Sequence, residues 1–382
     1  ILTTRAFLPD QDPLGGDRTW LASEDLDREP AIDFPLPEPD EIAFLQYTSG
    51  STSSPRGVVV RHRNLLANLR STSDSLGFRP EGAIVSWLPH FHDFGLVGAI
   101  IHPVHVGMLG VLLSPMEFLR FPVRWLRSIS RHRFVSSPLP HFAIEHCVRR
   151  IPLEERQGLD LSGWDFALDG GEPVRMAGLE RFAEAFAPHG LRPSTLTPCY
   201  GLAEATLVVS FHRGPRPAGV REAPDGRLFV ACGPPLPGHR LAIVDPATGV
   251  ECPPGEVGEI WIAGPSLASG YWKRPEAENE AVFSARIAGT NEGPFLRTGD
   301  LGFVDRGDIV PTGRIKDVLI LRGTNHYPQD LEWTVQEAHP ALRPAGSAVF
   351  LTEDGEGVVA VQEIEREPFG ASTADEIFAA IR

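Results

Sequence analysis

Between Val58 and Phe186, short apolar runs alternate with longer stretches whose apolar residues recur at helical intervals. That rhythm belongs to helices laid over a parallel sheet. Val58-Val59-Val60 opens it, and residues 64–76 follow with Leu65, Leu66, Leu69 and Leu76 at helical spacing and Gly77 as the stop. Residues 84–89 read as a short buried strand. The expected order continues with a helix around 123–132, a strand at 134–135, a helix over 142–150, a strand at 164–168 and a helix over 174–186. From about Leu228 the texture changes to short runs at 241–244, 259–262, 302–304 and 309–312, broken by Gly and Pro, which predicts an antiparallel β-rich subdomain or small barrel. A strand at 318–321, a helix over 329–338, strands near 348–351 and 358–364 and a helix from about Thr373 suggest a small α+β segment at the end. The expected fold class is therefore α/β. A parallel-sheet region (1–225) precedes a β-rich, barrel-like subdomain (226–315) and a partial C-terminal domain (316–382). Residues 1–40 are Pro- and Asp-rich and read as a surface approach segment, with Trp20-Leu21-Ala22 as their one compact apolar feature.

A chain of 382 residues can bury a substantial core in more than one domain. The net charge of −15 argues against a general nucleic-acid or anionic-membrane surface, so any phosphate binding must be local. Cys147, Cys199, Cys232 and Cys252 are widely spaced without a Cys-x-x-Cys, which indicates neither a disulfide framework nor a zinc site. No apolar run reaches membrane-spanning length and no signal-peptide pattern opens the sequence, so no integral membrane association is expected and the default compartment is the cytoplasm.

Four places carry chemistry. Tyr47-Thr48-Ser49-Gly50-Ser51-Thr52-Ser53-Ser54-Pro55-Arg56-Gly57 lies between the apolar residues 42–46 and the valines, and so reads as a loop between two strands. Its hydroxyls, glycines and exposed N–H groups make a donor surface suited to a polyphosphate, although a flexible Ser-rich turn has the same composition. It is not a Walker loop, because Pro55-Arg56-Gly57 runs into β-branched valines instead of a helix. Gly170-Gly171-Glu172 follows a predicted sheet strand, where open α/β sheets bind ligands, and a tight strand-to-helix turn explains it equally well. In Tyr200-Gly201-Leu202-Ala203-Glu204 the ring can face a base and the carboxylate can hold a magnesium ion among phosphate oxygens. Arg297-Thr298-Gly299-Asp300 is expected to place a carboxylate in a turn, suited to a ribose diol, and Arg314 follows as a phosphate partner.

These motifs stand in the order found in the adenylate-forming superfamily, which the chain resembles from about Trp20 to its end. The family's phosphate loop commonly reads Thr-Ser-Gly-Ser/Thr-Thr-Gly-x-Pro-Lys-Gly; here Ser53 replaces the second glycine and Arg56 the lysine. Three blocks are similar to the fatty acyl-AMP ligases: Trp87-Leu88-Pro89-His90-Phe91-His92-Asp93-Phe94-Gly95-Leu96, Gly171-Glu172-Pro173-Val174, and the stretch from Arg322 to Glu332, where Thr324 stands in place of a basic residue.

The resemblance implies that Thr48, Ser49, Gly50, Ser51, Thr52 and Arg56 hold the ATP phosphates. Gly170, Gly171 and Glu172 would line the adenine, Tyr200 and Gly201 would lie against it, Asp300 would take the ribose hydroxyls and Arg314 ribose or phosphate. Glu204 would bind magnesium, and His92, Glu204 and Arg314 would be the catalytic set. His92, Gly95 and Gly98 would edge the acyl pocket, although close helix packing explains the glycines as well. Lys316 would be the hinge. The implied reaction converts a fatty acid and ATP to acyl-AMP and pyrophosphate, for transfer to the thiol of an acyl carrier protein or of a carrier domain in a polyketide or nonribosomal peptide synthase.

Two rival readings remain. One is an acyl-CoA ligase, against which residues 283–294 stand at the place of an insertion associated with failure to use CoA. The other is a non-catalytic domain that holds AMP or acyl-adenylate. Only 46 residues precede Tyr47 and the family's late catalytic lysine has no counterpart, so the sequence is expected to be a fragment, poorly active alone and with an unpaired sheet edge.

Overall fold

The computed structural model describes residues 2–3, 21–22, 36–48, 55–213, 218–321, 324–352, 357–364 and 374–381. The chain divides into two compact units, Ile1–Glu38 and Pro39–Arg382. In the first, β1 (Leu2–Thr3) pairs in parallel with β2 (Leu21–Ala22).

The second unit is built on a six-stranded sheet. Its strands are β5 (Ala83–Ser86), β6 (Leu109–Leu112), β7 (Val135–Leu139), β8 (Trp164–Asp169), β9 (Leu196–Gly201) and β10 (Val208–Phe211), in the order β10-β9-β8-β7-β5-β6. All neighbours are parallel except β10, which returns antiparallel along β9. The central strands β5 and β7 are buried throughout because helices cover both faces. On one face the helices Val123–Ile129, Phe142–Arg150 and Met176–Phe186 bring Trp125, Leu126, Ile144, Phe182 and Phe186 against Val135, Trp164 and Ala167. On the other, Leu65, Leu69 and Leu76 of the helix His62–Leu76 pack with Phe94, Val97, Leu168 and Phe211. The alternation of Ala167 and Leu168 between these two cores is the two-residue period of a strand. At the sheet's β6 edge, Leu109 and Leu112 are at least half exposed.

Two strands flank the Ser-rich stretch. β3 (Ile42–Thr48) and β4 (Arg56–Arg61) pair antiparallel with Thr48 opposite Arg56, so both extend further toward the Ser-rich stretch than their apolar residues alone indicate. After β5 the chain enters a helical run composed of Asp93–Gly95, the π-helical turn Leu96–Ile101 and His102–Val106. Pro103 has no N–H for the carbonyl four residues earlier, and the wider turn precedes it.

The β-rich region begins with the hairpin β11 (Val220–Glu222) and β12 (Leu228–Val230). An antiparallel four-stranded sheet follows: β13 (Arg240–Val244), β14 (Gly258–Ala263), β15 (Leu296–Asp305) and β16 (Asp308–Arg314). The turn expected at 297–300 is instead a bulge inside β15. Arg297 sits opposite Trp261 and Leu301 opposite Glu259, leaving Thr298, Gly299 and Asp300 to face Ile260. Gly299 takes φ +73°, a conformation open to glycine, and the extra residues are absorbed there.

The last segment holds β17 (Leu319–Leu321), β18 (Thr324–His326), the helix Pro328–Glu337, β19 (Leu342–Leu351), β20 (Val358–Ile364) and the helix Ala374–Ile381. Its small core is Ala341, Leu342 and Ile377. Cations of the large region hold it. The Arg175 guanidinium donates to the Gln329 carbonyl (2.7 Å) and covers the Trp333 ring at 4.7 Å, and Arg227 lies over Tyr327 at 4.0 Å while pairing with Asp330. No helix among the described residues is long and apolar enough to cross a membrane.

Candidate functional site

The bulge in β15 places Asp300 against the carboxyl end of β9. There the Tyr200 hydroxyl donates to Asp300 Oδ2 at 2.8 Å, and Arg314 Nε, directly across the β15–β16 register, donates to Oδ1 at 3.0 Å. Burial pushes the Asp300 carboxyl up, against the opposing pull of the Arg314 guanidinium and the Tyr200 hydroxyl. Tyr200 is driven well above the usual phenol range by burial and by Asp300, so its hydroxyl is a donor at neutral pH. Both Tyr200 and Asp300 are 8% exposed. A ribose diol at Asp300 would therefore share the two oxygens with Tyr200 and Arg314, within the roughly four lone-pair positions of a carboxylate.

Gly170 and Gly171 follow β8. A Cβ on Gly170 would lie 2.6 Å from Cys199 Sγ, and Gly171 has φ +82°, so the chain passes here only as glycine. Glu172 Oε1 accepts from the Phe142 N–H at the start of its helix, and burial raises the Glu172 carboxyl. Beneath the glycines Asp169 is fully buried, its Oδ2 2.7 Å from His141 Nδ1, while its Oδ1 has no hydrogen-bond partner among the described residues. Burial pulls the His141 imidazole down, but the Asp169 charge and hydrogen bond, with Glu172 and Glu145, carry it above the ordinary value.

Glu204 occupies a 3₁₀ turn, Ala203–Ala205, between β9 and β10. Its Oε1 accepts from the Tyr271 hydroxyl at 2.8 Å and its backbone carbonyl from the Ala268 N–H at 2.8 Å. Burial raises the carboxyl; the Tyr271 bond opposes this, and the charges of Asp300 and Asp93 add to it. A cation bound there would favour the charged carboxylate. Among the described residues no cluster of three His, Cys, Asp or Glu side chains could hold a metal unaided. Magnesium commonly uses one or two carboxylates plus substrate phosphates, and a lone carboxylate with one engaged oxygen fits that habit.

Arg56, the first residue of β4, pairs with Glu278 at 3.3 Å and lies 5.0 Å from the Tyr271 ring centroid. Thr48 ends β3 opposite it. Ser49, Gly50, Ser51 and Thr52 lie outside the described residues. His92 is exposed, with Nδ1 2.6 Å from Asp93 Oδ1; that hydrogen bond raises its pKa against partial burial.

The remaining glycines have packing reasons. A Cβ on Gly95 would sit 2.0 Å from the Pro89 carbonyl oxygen, and one on Gly201 would sit 1.9 Å from that of Leu207. Gly98 would meet Leu207, Phe94 and Pro138 at ordinary contact, 3.5 to 3.9 Å. Lys316 is exposed in the turn Ile315–Asp317 that follows β16.

The structure thus joins Tyr200, Asp300 and Arg314 in one network, and Arg56 and Glu204 in another through Tyr271. The sequence alone assigned no role to Tyr271, in Gly270-Tyr271-Trp272, or to the His141–Asp169 pair. A tyrosine after Gly270 and a lone histidine carry no signal until their partners are placed.

The profile of a family described as AMP-binding enzyme matches residues 5–272. A medium-chain-fatty-acid–[acyl-carrier-protein] ligase, JamA of Moorena producens, is 44% identical over 370 residues, 91% of this chain and 62% of that protein. A long-chain-fatty-acid–AMP ligase, FadD26 of Mycobacterium marinum, is 40% identical over 410 residues, 98% of this chain and 69% of that one. The chain therefore spans about two thirds of these relatives' lengths. Among solved structures, one from a study of fatty acyl-adenylate ligases of E. coli and L. pneumophila superposes with a TM-score of 0.81 at 37% identity, covering 92% of this chain and 65% of that one. McyG A-PCP complexed with phenylalanyl-adenylate superposes with a TM-score of 0.80 at 25% identity, covering 95% and 55%. The chain belongs to the AMP-binding enzyme family, the adenylate-forming enzymes, in its fatty acyl-AMP ligase branch.

Proposed function

We propose that this protein joins a fatty-acid carboxylate to the AMP part of ATP, releasing pyrophosphate, and that the acyl group then passes to a carrier-protein thiol. The observation that carries this reading is the Tyr200–Asp300–Arg314 network beside Glu204 at the carboxyl ends of the sheet strands. A carboxylate oxygen of the acid attacks the α-phosphorus as the bond to the pyrophosphate oxygen breaks, and the electron pair leaves with pyrophosphate. The protein's task is alignment and charge. Asp300 orients the nucleotide through its ribose, Arg314 offers a permanent positive charge, and Gly170 to Glu172 with Tyr200 shape the adenine side. Glu204 would hold magnesium, which when bound draws charge from the phosphate oxygens. His92 and Gly98 would edge the acyl pocket. Residues from 316 onward would act as a mobile domain on the Lys316 hinge, following the β-rich subdomain 226–315 in the chain.

The name of the JamA relative supports a carrier protein as acceptor. A second reading has its own support, since a protein named putative fatty-acid–CoA ligase, fadD25 of Mycobacterium tuberculosis, is 40% identical. We favour acyl-AMP formation without CoA ligation. Residues 285–295 form a closed hairpin, with Ala285 and Phe295 exchanging hydrogen bonds of 2.9 and 2.8 Å, and Ile287 is buried with Trp261 and Phe295. A thioester assay on the full-length protein tests this: fatty acid, ATP and CoA should give acyl-AMP with little acyl-CoA, and efficient acyl-CoA release would establish the second reading.

A further inference from the structure

Tyr271 stands between two groups assigned above and is held from every side. Its exposure is 6%. Its segment pairs with β4: Ser269 N–H donates to the Val59 carbonyl (3.0 Å), Val59 N–H to that of Gly270 (2.9 Å) and Trp272 N–H to that of Gly57 (2.7 Å). Asn279 accepts from the Tyr271 N–H at 2.7 Å and donates to the Tyr271 carbonyl at 3.3 Å. The Phe283 ring meets the Tyr271 ring edge-on at 5.1 Å, and Arg56, itself fixed by Glu278, lies over it. What such a side chain presents is one oriented hydroxyl, and that hydroxyl donates to Glu204 Oε1. A glutamate on the protein surface samples many rotamers; this one is gripped at its carboxylate by Tyr271 and at its backbone by Ala268.

We propose that Tyr271 is a positioning residue for Glu204, engaging one carboxylate oxygen so that the other faces a divalent cation bound with the triphosphate, and that Arg56 and Asn279 hold the tyrosine in place. This rests on the reading of Glu204 as the magnesium residue. It also gives Arg56 work that a planar guanidinium does well, covering an aromatic face while pairing with a carboxylate.

Tyr271→Phe keeps the ring between Arg56 and Phe283 and removes only the hydroxyl. ATP affinity of the full-length protein is measured by displacement of a fluorescent ATP analogue, with and without magnesium chloride. Magnesium should tighten ATP binding in the parent and do so about tenfold less in the variant, with metal-free AMP binding changed by less than about twofold. In a Glu204→Gln background the same tyrosine change should add nothing, because it acts through that carboxylate. Asn279→Ala, which loosens the tyrosine without touching the carboxylate, should shift the magnesium dependence in the same direction. Unchanged magnesium dependence in Tyr271→Phe, or an equal loss in the Glu204→Gln background, overturns the proposal, as does a parent whose ATP affinity ignores magnesium. The readout is binding, so a protein that fails to exchange pyrophosphate defeats the proposed activity and still leaves Tyr271 to be decided.

Discussion

Asp300 has two carboxylate oxygens, and Tyr200 and Arg314 each hold one. A nucleotide ribose bound there would find an acceptor already oriented, with a neutral phenol and a guanidinium fixing its plane. Asp300→Ala should weaken ATP and AMP binding by about thirty- to several-hundred-fold, corresponding to roughly 2 to 4 kcal/mol for a charge-assisted pair of hydrogen bonds. Titration calorimetry with AMP measures this, and unchanged affinity would remove Asp300 from the site.

His141 and Asp169 make a second prediction at this scale. The fold raises the imidazole pKa, so the pair's contribution to stability is full below the unfolded-state pKa near 6.5 and is lost as pH rises through the folded value. Chemical denaturation from pH 6 to 9 should therefore show stability falling with pH more steeply in the parent than in His141→Asn. Removing the imidazole altogether, in His141→Ala, should cost about 3 kcal/mol at pH 6 because it leaves Asp169 buried without its partner. Identical pH slopes in parent and His141→Asn would contradict the assignment.

At the scale of elements, the helical run after His92 separates two uses of glycine. Gly95 faces the Pro89 carbonyl with no room for a methyl group, whereas Gly98 has ordinary contact distances. Gly95→Ala should lower stability by about 3 kcal/mol or more as the backbone is pushed apart, and Gly98→Ala by about 1 kcal/mol or less, both read from denaturant midpoints. Equal costs would show that the two positions are packed alike.

Much of the layout was legible in the residues themselves. Most strands and helices between residues 64 and 186 announce themselves by their period, because the sheet is buried on both faces and each helix on one, whereas the edge strand β6, with Leu109 and Leu112 at least half exposed, and the short helix Pro115–Arg120 do not. The bulge at Asp300 did not, since the same Arg297-Thr298-Gly299-Asp300 can close a turn or bulge a strand. Its pairing with Glu259 to Trp261, well separated along the chain, decides the matter. Tyr271 and Glu204 are 67 residues apart and meet only because the segment before Trp272 pairs with β4.

At the scale of the whole molecule, Arg175 links the start of the Met176–Phe186 helix to the helix Pro328–Glu337 through Gln329, Asp330 and Trp333. The contacts are partly exposed and should contribute about 1 kcal/mol together. Arg175→Ala should therefore raise amide hydrogen exchange in residues 328–337 severalfold while leaving the buried strand β7 protected. Unaltered exchange in that helix would show that other contacts hold the segment.

If the site makes acyl-AMP, the full-length protein should exchange labelled pyrophosphate into ATP when a fatty acid is present, and this is measured across acids of different chain length. Exchange is predicted that requires both a fatty acid and magnesium and that falls by at least about tenfold in Glu204→Gln. A folded protein that binds AMP yet exchanges no pyrophosphate with any fatty acid would contradict the claim and leave a nucleotide-holding domain in its place.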